Sequence, residues 1–253
     1  QKSGETYVKA IRMDSLRSYM TEEMAANVIE LDSVAGNTGQ FIISDGVGWL
    51  APVSAKFEGS DAYTFGYRTG AVGYASQVIG GSNLFRCSAT NQHSIAFGYG
   101  NSSTGLASTV FGAFNSSTGQ YSFANGFNSD ATGGLSFVNG SDCVASGDYS
   151  FAFGNGSTAS GDYSFAFGNG STASGVDAIS MNSSTVSGTS SIGINGSNVS
   201  GSNSAGINGA IVSGDRSTAI NQGAASGDYS FAVGSGSVAS GAKSVALSGG
   251  TAS

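Results

Sequence analysis

Residues 147–160 read GDYSFAFGNGSTAS, and residues 161–174 repeat the same fourteen letters without a change. Counted from the opening glycine, position 4 is serine, positions 5 and 7 are bulky, position 6 is small and position 8 is glycine. Bulky and small residues alternate with a period of two, which predicts a β-strand rather than a helix. A unit this short holds two short strands and two turns, so each repeat predicts one coil of a narrow solenoid.

The repeat continues in both directions over residues 59–253. Most units have 14 residues, four residues are inserted ahead of Asn91, and four units between residues 175 and 226 have 13. Coils that pair along the axis every ~4.8 Å predict a rod of roughly 65 Å. The predicted fold class is therefore all-β, a parallel β-roll of about 14 coils preceded by a small α+β N-terminal segment.

Position 8 predicts a turn that leaves the strand with positive φ. It is glycine in the 14-residue units, as at Gly154 and Gly168, and asparagine in all four 13-residue units. Glycine and asparagine share a tolerance of the left-handed region, so we expect a tighter form of the same turn where one residue is missing. The turn-forming asparagines are Asn182, Asn195, Asn208 and Asn221.

Two packings of the strand fit this pattern, because positions 5 and 7 point to one side and positions 4 and 6 to the other. In the first packing, the bulky side chains fill the interior of each roll. In the second, they lie outside, and the small serine and alanine side chains fill the narrow interior. Exposed apolar columns along a whole rod are untenable on a monomer, so we predict a parallel homotrimer. The trimer or core columns contain Phe151, Phe153, Phe165, Phe167, Ile192, Ile194 and Phe231.

Charge divides the chain near Glu58. Residues 1–58 carry 13 charged side chains, whereas residues 59–253 carry 12 and no glutamate. In the first segment, residues 14–28 have apolar spacings typical of an amphipathic helix, and residues 41–50 predict a hairpin around Asp45-Gly46. We therefore expect two domains, an N-terminal attachment segment of residues 1–58 and a repeat domain of residues 59–253.

Composition excludes several classes of partner. A net charge of −7 without a basic cluster argues against nucleic acid. No apolar run is long enough to span a bilayer, and no secretory signal opens the chain. Two cysteines are too few for a disulfide scaffold.

No catalytic, metal or cofactor site emerges from the side chains, so we expect no enzyme and no cofactor. His93 is the only histidine and occupies position 3, where other units have tyrosine. Asp148 and Asp162 lie in a turn position without a basic neighbour, which favours solvated turn residues over a carboxylate pair. Cys87 and Cys143 share a column four coils apart, too far for a disulfide, which favours small interior fillers.

Position 3 carries a candidate adhesive stripe. A ladder of tyrosines could stack against sugar rings, and the alternative is that the rings cap the phenylalanine columns. The stripe consists of Tyr121, Tyr149, Tyr163 and Tyr229.

Two resemblances connect these patterns to known families. The run Ser150-Phe-Ala-Phe-Gly154, followed by Ser157-Thr-Ala159, resembles the YadA-like head repeat of trimeric autotransporter adhesins. That resemblance implies a left-handed parallel β-roll, assembled as a homotrimer and displayed for attachment. Residues 36–50 resemble a hairpin module of phage tail fibres, in which Gly-Gln precedes an apolar triplet, Ser-Asp/Asn-Gly and tryptophan.

The order of the two segments favours a virion fibre. A charged segment comes first and the roll last, which suits a bacteriophage fibre held by residues 1–58 on a capsid or tail protein, with the roll reaching a host glycan or protein. The alternative is a fragment of a bacterial adhesin head on the outer bacterial surface. Ice binding and polysaccharide cleavage are disfavoured, because no outward Thr-x-Thr ladder and no acidic cleft are predicted.

Overall fold

The described residues of the computed structural model are 56–57, 62–65, 69–80 and 86–253, and they belong to one compact unit, Ser54–Ser253. They form two parallel sheets, and no helix occurs among them. The chain alternates between the sheets, so odd-numbered strands form one sheet and even-numbered strands the other. The predicted all-β parallel solenoid is confirmed, with about 13 turns. The predicted helix and hairpin of residues 14–50 lie outside the described residues.

The odd-numbered sheet has 15 short strands. They are β1 (Lys56–Phe57), β3 (Thr69–Ala71), β5 (Cys87–Ala89), β7 (Ser102–Ser103), β9 (Ser116–Ser117), β11 (Asp130–Ala131), β13 (Val144–Ala145), β15 (Thr158–Ala159), β17 (Thr172–Ala173), β19 (Thr185–Val186), β21 (Asn198–Val199), β23 (Ile211–Val212), β25 (Ala224–Ala225), β27 (Val238–Ala239) and β29 (Thr251–Ala252).

The even-numbered sheet has 14 strands, which contain positions 5 to 7 of each coil. They are β2 (Tyr63–Phe65), β4 (Gln77–Gly80), β6 (Ile95–Tyr99), β8 (Thr109–Ala113), β10 (Phe123–Phe127), β12 (Phe137–Ser141), β14 (Phe151–Asn155), β16 (Phe165–Asn169), β18 (Ile179–Met181), β20 (Ile192–Ile194), β22 (Ala205–Ile207), β24 (Thr218–Ile220), β26 (Phe231–Val233) and β28 (Val245–Leu247).

Register follows the repeat, so equivalent positions stack in columns along the roll. Phe151 pairs with Phe165 and Ala152 with Ala166. The register also continues across the change of repeat length, where Phe165 pairs with Ile179. The sheets begin at Lys56, two residues ahead of the boundary predicted near Glu58; the boundary itself stays a prediction.

The interior is built from small side chains. Ala152 and Ala166 in the even-numbered sheet and Ala159 in the odd-numbered sheet are fully buried, as is Ser150 at position 4. Buried serine hydroxyls bond to turn carbonyls, as Ser150 Oγ does to Gly147 O at 2.6 Å. Positions 4 and 6 therefore face inward, which settles the question that the alternating pattern had left open.

Close stacking leaves no room for a side chain at the opening positions Gly147 and Gly161. A Cβ added to Gly147 would lie against the backbone carbonyl of Gly161 in the next coil, and a Cβ on Gly161 would meet Gly175 in the same way. Backbone cannot give way as a flexible side chain can, so these positions have no room for any larger residue.

The turn at position 8 has positive φ in both repeat lengths. Gly154 has a φ of 113°, whereas Asn195 has a φ of 56° and is followed by Gly196 at 71°. Two consecutive residues with positive φ match the type I′ turn, which favours Asn-Gly. The shorter coil therefore uses a tighter turn.

The asparagines of the 13-residue coils also bond to one another. Asn182 Nδ2 donates to Asn195 Oδ1 at 3.0 Å, Asn195 Nδ2 to Asn208 Oδ1 at 2.9 Å, and Asn208 Nδ2 to Asn221 Oδ1 at 3.0 Å. The sequence pattern indicated only the backbone role of these residues. The amide ladder adds a second reason for asparagine over glycine.

Replacing Asn195 with valine tests the turn. We expect a loss of ~1–2 kcal/mol or more in the free energy of unfolding, because a β-branched side chain resists positive φ. Asn195→Gly keeps the turn and loses only exposed amide bonds, so its loss is smaller. Urea unfolding followed by circular dichroism measures both.

The matched control for this turn is Asn198→Val, three residues along in strand β21, where the side chain is exposed and φ is not positive. It should leave stability nearly unchanged. Equal losses from valine at 195 and 198 would contradict the assignment of the turn.

Candidate functional site

The outer side of the even-numbered sheet is mostly apolar, although Asn125 and Asn139 interrupt it. We call it the apolar face and define it as positions 5 and 7 of the coils. Phe151 is 40% exposed and Phe167 44%. Further along the roll, Ile192 is 40% exposed and Phe231 38%. Phenylalanine side chains are hydrophobic and would be expected in an interior, but here they lie outside the roll of a single chain.

Ring contacts connect the aromatic part of this face without a break from Phe97 to Phe167. The rings of Phe123 and Phe137 stack at 4.7 Å between centroids, and Phe137 and Phe153 at 5.3 Å. Phe153 reaches Phe165 at 5.9 Å. Offset and tilted pairs at these distances are favourable arrangements for aromatic rings.

The outer side of the odd-numbered sheet is more polar. Thr158, Thr172 and Thr185 point outward there, one residue before the buried Ala159, Ala173 and Val186. Exposed apolar surface is thus concentrated on one side of the roll.

The tyrosines of position 3 lie on the turn that leads into the even-numbered strands. Tyr121, Tyr149, Tyr163 and Tyr229 are 46% to 59% exposed, and their φ values are 57° or 58°. The Tyr149 and Tyr163 rings are stacked, with centroids 4.9 Å apart and planes 4° apart. The candidate stripe is therefore accessible in the single chain, with Tyr149 and Tyr163 in contact.

Positive φ at position 3 was not predicted. From Ala75 to Lys243, every residue in this column has a φ between 51° and 60°, including leucine, arginine and tyrosine. Leucine, arginine and tyrosine have no preference for the left-handed region. From His93 onward, each backbone N–H of the column donates to the preceding coil, as Tyr149 N does to Gly134 O at 2.8 Å.

The groove in front of the tyrosine pair is shallow and open, and it spans three coils. It is lined by Tyr149, Phe151, Tyr163, Ser164, Phe165, Asp177 and Ile179.

The aspartates of position 2 support the backbone. Asp148 Oδ1 accepts from Gly134 N at 2.7 Å, and Asp162 Oδ1 accepts from Asp148 N at 2.9 Å. Each carboxylate thus links its coil to the preceding one. Within the described residues, no group of three or more histidine, cysteine or acidic side chains could hold a metal ion.

The column that contains Cys87 and Cys143 is buried beside the odd-numbered sheet, and its hydrogen bonds were not predicted. Asn101 N donates to Cys87 Sγ at 3.4 Å, and Asn115 N to Asn101 Oδ1 at 2.9 Å. The column continues through Ser129, whose Oγ accepts from Cys143 N at 3.2 Å. Both thiols are buried. His93 is exposed and meets the ring of Tyr74 edge-on, at 5.6 Å between centroids.

Together, the stacked coils, the small interior and the one-sided apolar face define a parallel β-roll. The YadA head domain repeat family matches residues 89–115, 103–129, 145–171, 159–181 and 225–247. These segments of the roll therefore match the YadA head repeat, as the resemblance had indicated. This family is a structural adhesin repeat and not an enzyme family. A comparison with curated proteins gives no match.

Among the described residues, no helix is long and apolar enough to cross a bilayer.

Thiol labelling tests the interior assignment of the cysteines. Burial raises the pKa of the Cys143 thiol, so less thiolate forms at a given pH than for an exposed cysteine. We expect negligible reaction of Cys87 and Cys143 with a maleimide in the native protein, even as the pH rises through the ordinary thiol range. Complete reaction should follow in urea. Rapid native labelling of both thiols would place them outside the roll.

Proposed function

We propose that this protein is a non-enzymatic structural fibre that displays a parallel homotrimer of left-handed β-rolls for attachment to a host surface. The observation that carries the proposal is the apolar face, which runs along the roll and is exposed in the single chain. The YadA head repeats support an adhesin-like fibre on an outer surface.

A trimer accounts for the apolar face. Soluble monomers rarely expose contiguous apolar patches of more than a few hundred Å². Three rolls set side by side, with these faces toward a common axis, would remove the phenylalanine columns from water. Parallel orientation lets each coil meet the same coil of its neighbours, so Phe151 and Phe165 would pack against rings of the same height. The polar odd-numbered sheets would then face the solvent.

Attachment to a virion is proposed for residues 1–58. This segment holds 13 of the 25 charged side chains in 58 residues, and also Trp49 and Pro52, the only tryptophan and proline of the chain. Residues 36–50 resemble a phage tail-fibre module. Varied chemistry can specify one docking site on a capsid or tail protein. The roll has repeated columns, which suit reach and many equivalent contacts whose avidity multiplies in a trimer.

A second candidate is the head of a bacterial trimeric autotransporter adhesin, displayed on the outer bacterial surface. The match to the YadA head repeat favours it directly. Both candidates share the trimer and the adhesive role, and they differ in the surface that carries the fibre.

The oligomeric state tests the trimer. Light scattering should give about three times the 25.0 kDa mass of one chain. The double change Phe153→Ser and Phe167→Ser should shift the protein toward monomers, because it makes two positions of the buried face polar. The matched control is Thr158→Ser with Thr172→Ser on the odd-numbered sheet, which should stay trimeric. A well-folded monomer of the unaltered protein would contradict the proposal.

Truncation tests whether residues 1–58 attach the fibre to the particle and the roll provides the adhesion. Residues 54–253 should fold into a β-rich trimer that no longer joins the particle. A chain that keeps residues 1–58 and a shortened roll should join it and adhere less. Incorporation is measured on purified particles for both. Incorporation of the roll alone, without that of the chain bearing 1–58, would favour the bacterial adhesin.

A further inference from the structure

Two asparagines interrupt the apolar face at neighbouring coils. Over residues 79–247, position 7 is otherwise phenylalanine, isoleucine, methionine, valine or leucine, and the exceptions are Asn125 and Asn139. The two are adjacent in the column, because Asn125 pairs with Asn139 in the sheet register. Phe111 precedes them in the column and Phe153 follows them. A polar pair is thus enclosed in an apolar column.

The ring contacts of the apolar face pass beside this pair. Phe111 contacts Phe123 at 5.8 Å between ring centroids, and Phe123 stacks on Phe137 at 4.7 Å. Phe137 then contacts Phe153 at 5.3 Å. Phe123 and Phe137 occupy position 5 on the same two strands as the asparagines. Position 5 therefore supplies the rings at the two coils where position 7 has an amide.

Within one chain the two amides use only part of their hydrogen-bonding capacity. Asn125 Nδ2 donates to Asn139 Oδ1 at 3.1 Å. In the part of the chain that the structure describes, Asn125 Oδ1 and Asn139 Nδ2 form no hydrogen bond. Burying a polar group without a partner is costly, so these two groups need partners once the face is covered. An acceptor and a donor are left for another chain.

Because the roll repeats, neighbouring chains could meet at several heights. Coils lie about 4.8 Å apart, so a shift by one coil still places rings against rings over much of the aromatic part. Where the face changes to aliphatic residues at Ile179, a shift only exchanges one apolar side chain for another. The column at Asn125 and Asn139 is different. After a shift by one coil, one amide of the pair faces the ring of Phe111 or Phe153 in the neighbouring chain.

We propose that Asn125 and Asn139 determine the axial register of the trimer, by selecting the arrangement in which equal coils of the three chains meet. At equal heights, three copies of each asparagine form a layer, where the remaining carbonyl and amino groups pair between chains. A shifted chain leaves amides unpaired among rings. A single buried asparagine fixes the register of coiled coils in the same way, at some cost in stability. The inference rests on the proposed function and names the residues that specify its assembly.

Mixing of chains tests the match between asparagine layers. The full-length protein and its double variant Asn125→Phe with Asn139→Phe are unfolded together in urea and refolded, and native mass spectrometry counts the composition of the trimers. Each chain should form trimers of its own. Mixed trimers should fall on the order of tenfold below their statistical share, because mixed layers leave amides against rings. Asn125→Leu with Asn139→Leu should give the same result with a smaller side chain.

The matched control changes the same column without changing its polarity. Phe153→Leu with Phe167→Leu replaces rings by smaller apolar side chains on the next two coils. These chains should mix with the unaltered protein in the statistical share.

Disulfide formation reports the register itself. Ile192 and Ala205 occupy position 5 of adjacent coils and pair in the sheet register. Chains with Ile192→Cys are refolded with chains that carry Ala205→Cys and are then oxidised; the native Cys87 and Cys143 are buried. Bridges between equal positions indicate equal heights, whereas bridges between unequal positions indicate a shift by one coil. Equal bridges should dominate when both asparagines are present. Changing both to phenylalanine should raise the share of unequal bridges on the order of tenfold.

The outcomes separate this inference from the proposed function. Statistical mixing of unaltered chains with the phenylalanine variant, or an unchanged share of unequal bridges, overturns the inference and leaves the trimer in place. Loss of the trimer in both the phenylalanine and the leucine variant also overturns it, because the pair would then be needed for association and not for register. A monomer of the unaltered protein in light scattering removes the proposed function, and the inference with it.

Discussion

The space between the two sheets of the roll admits only small side chains, and the rest of the structure depends on that width. The residues that fill it are alanine, serine, cysteine, glycine and valine, with a few threonine and asparagine side chains. A larger side chain in one sheet is matched by a smaller one in the sheet opposite. A Cβ added to Gly193 would lie 2.6 Å from Val186 Cγ2, and a Cβ added to Gly206 would lie 2.7 Å from Val199 Cγ2. Val186 and Val199 of the odd-numbered sheet therefore each face a glycine of the even-numbered sheet. Phenylalanine has no place inside, so it lies on the apolar face.

The same narrow coil explains how the backbone is satisfied. Consecutive coils approach so closely that the opening position accepts no Cβ where Gly147 meets Gly161. Turns are therefore joined by vertical hydrogen bonds, from the backbone at position 3, from aspartate carboxylates at position 2 and from the asparagine ladder of the 13-residue coils. Each bond repeats because each column repeats. The free energy of folding of such a roll is approximately the sum of contributions from each coil and from its contacts with the neighbouring coils. Aromatic columns can therefore lie outside the roll while these contacts stabilise it.

The sequence predicted the solenoid, its coil length and its parallel register, because period-two alternation and exact repetition are properties of the letters themselves. It left the inward face open, because alternation looks the same whichever side is buried; the width of the gap decides it. The positive φ at Tyr149 and Tyr163 could not be predicted, since tyrosine has no preference for that region and the constraint comes from the next coil. The sequence placed the column of Cys87 and Cys143 in the interior, but the hydrogen bonds of Asn101 and Asn115 in that column were not predicted, for a similar reason. Its hydrogen bonds run between coils and leave no signal within one repeat.

The most direct test of this account compares two adjacent residues of strand β15, Thr158 and Ala159, which differ in the sheet face that they occupy. Thermal unfolding by circular dichroism is measured for Thr158→Leu and Ala159→Leu. The account predicts that leucine at 159 lowers the midpoint strongly, because overpacking a filled interior costs ~1–3 kcal/mol or more, and that leucine at 158 changes it little. Equal midpoints, or a larger loss at 158, would show that the interior is not limited to small side chains and would contradict the placement of the aromatic columns outside the roll.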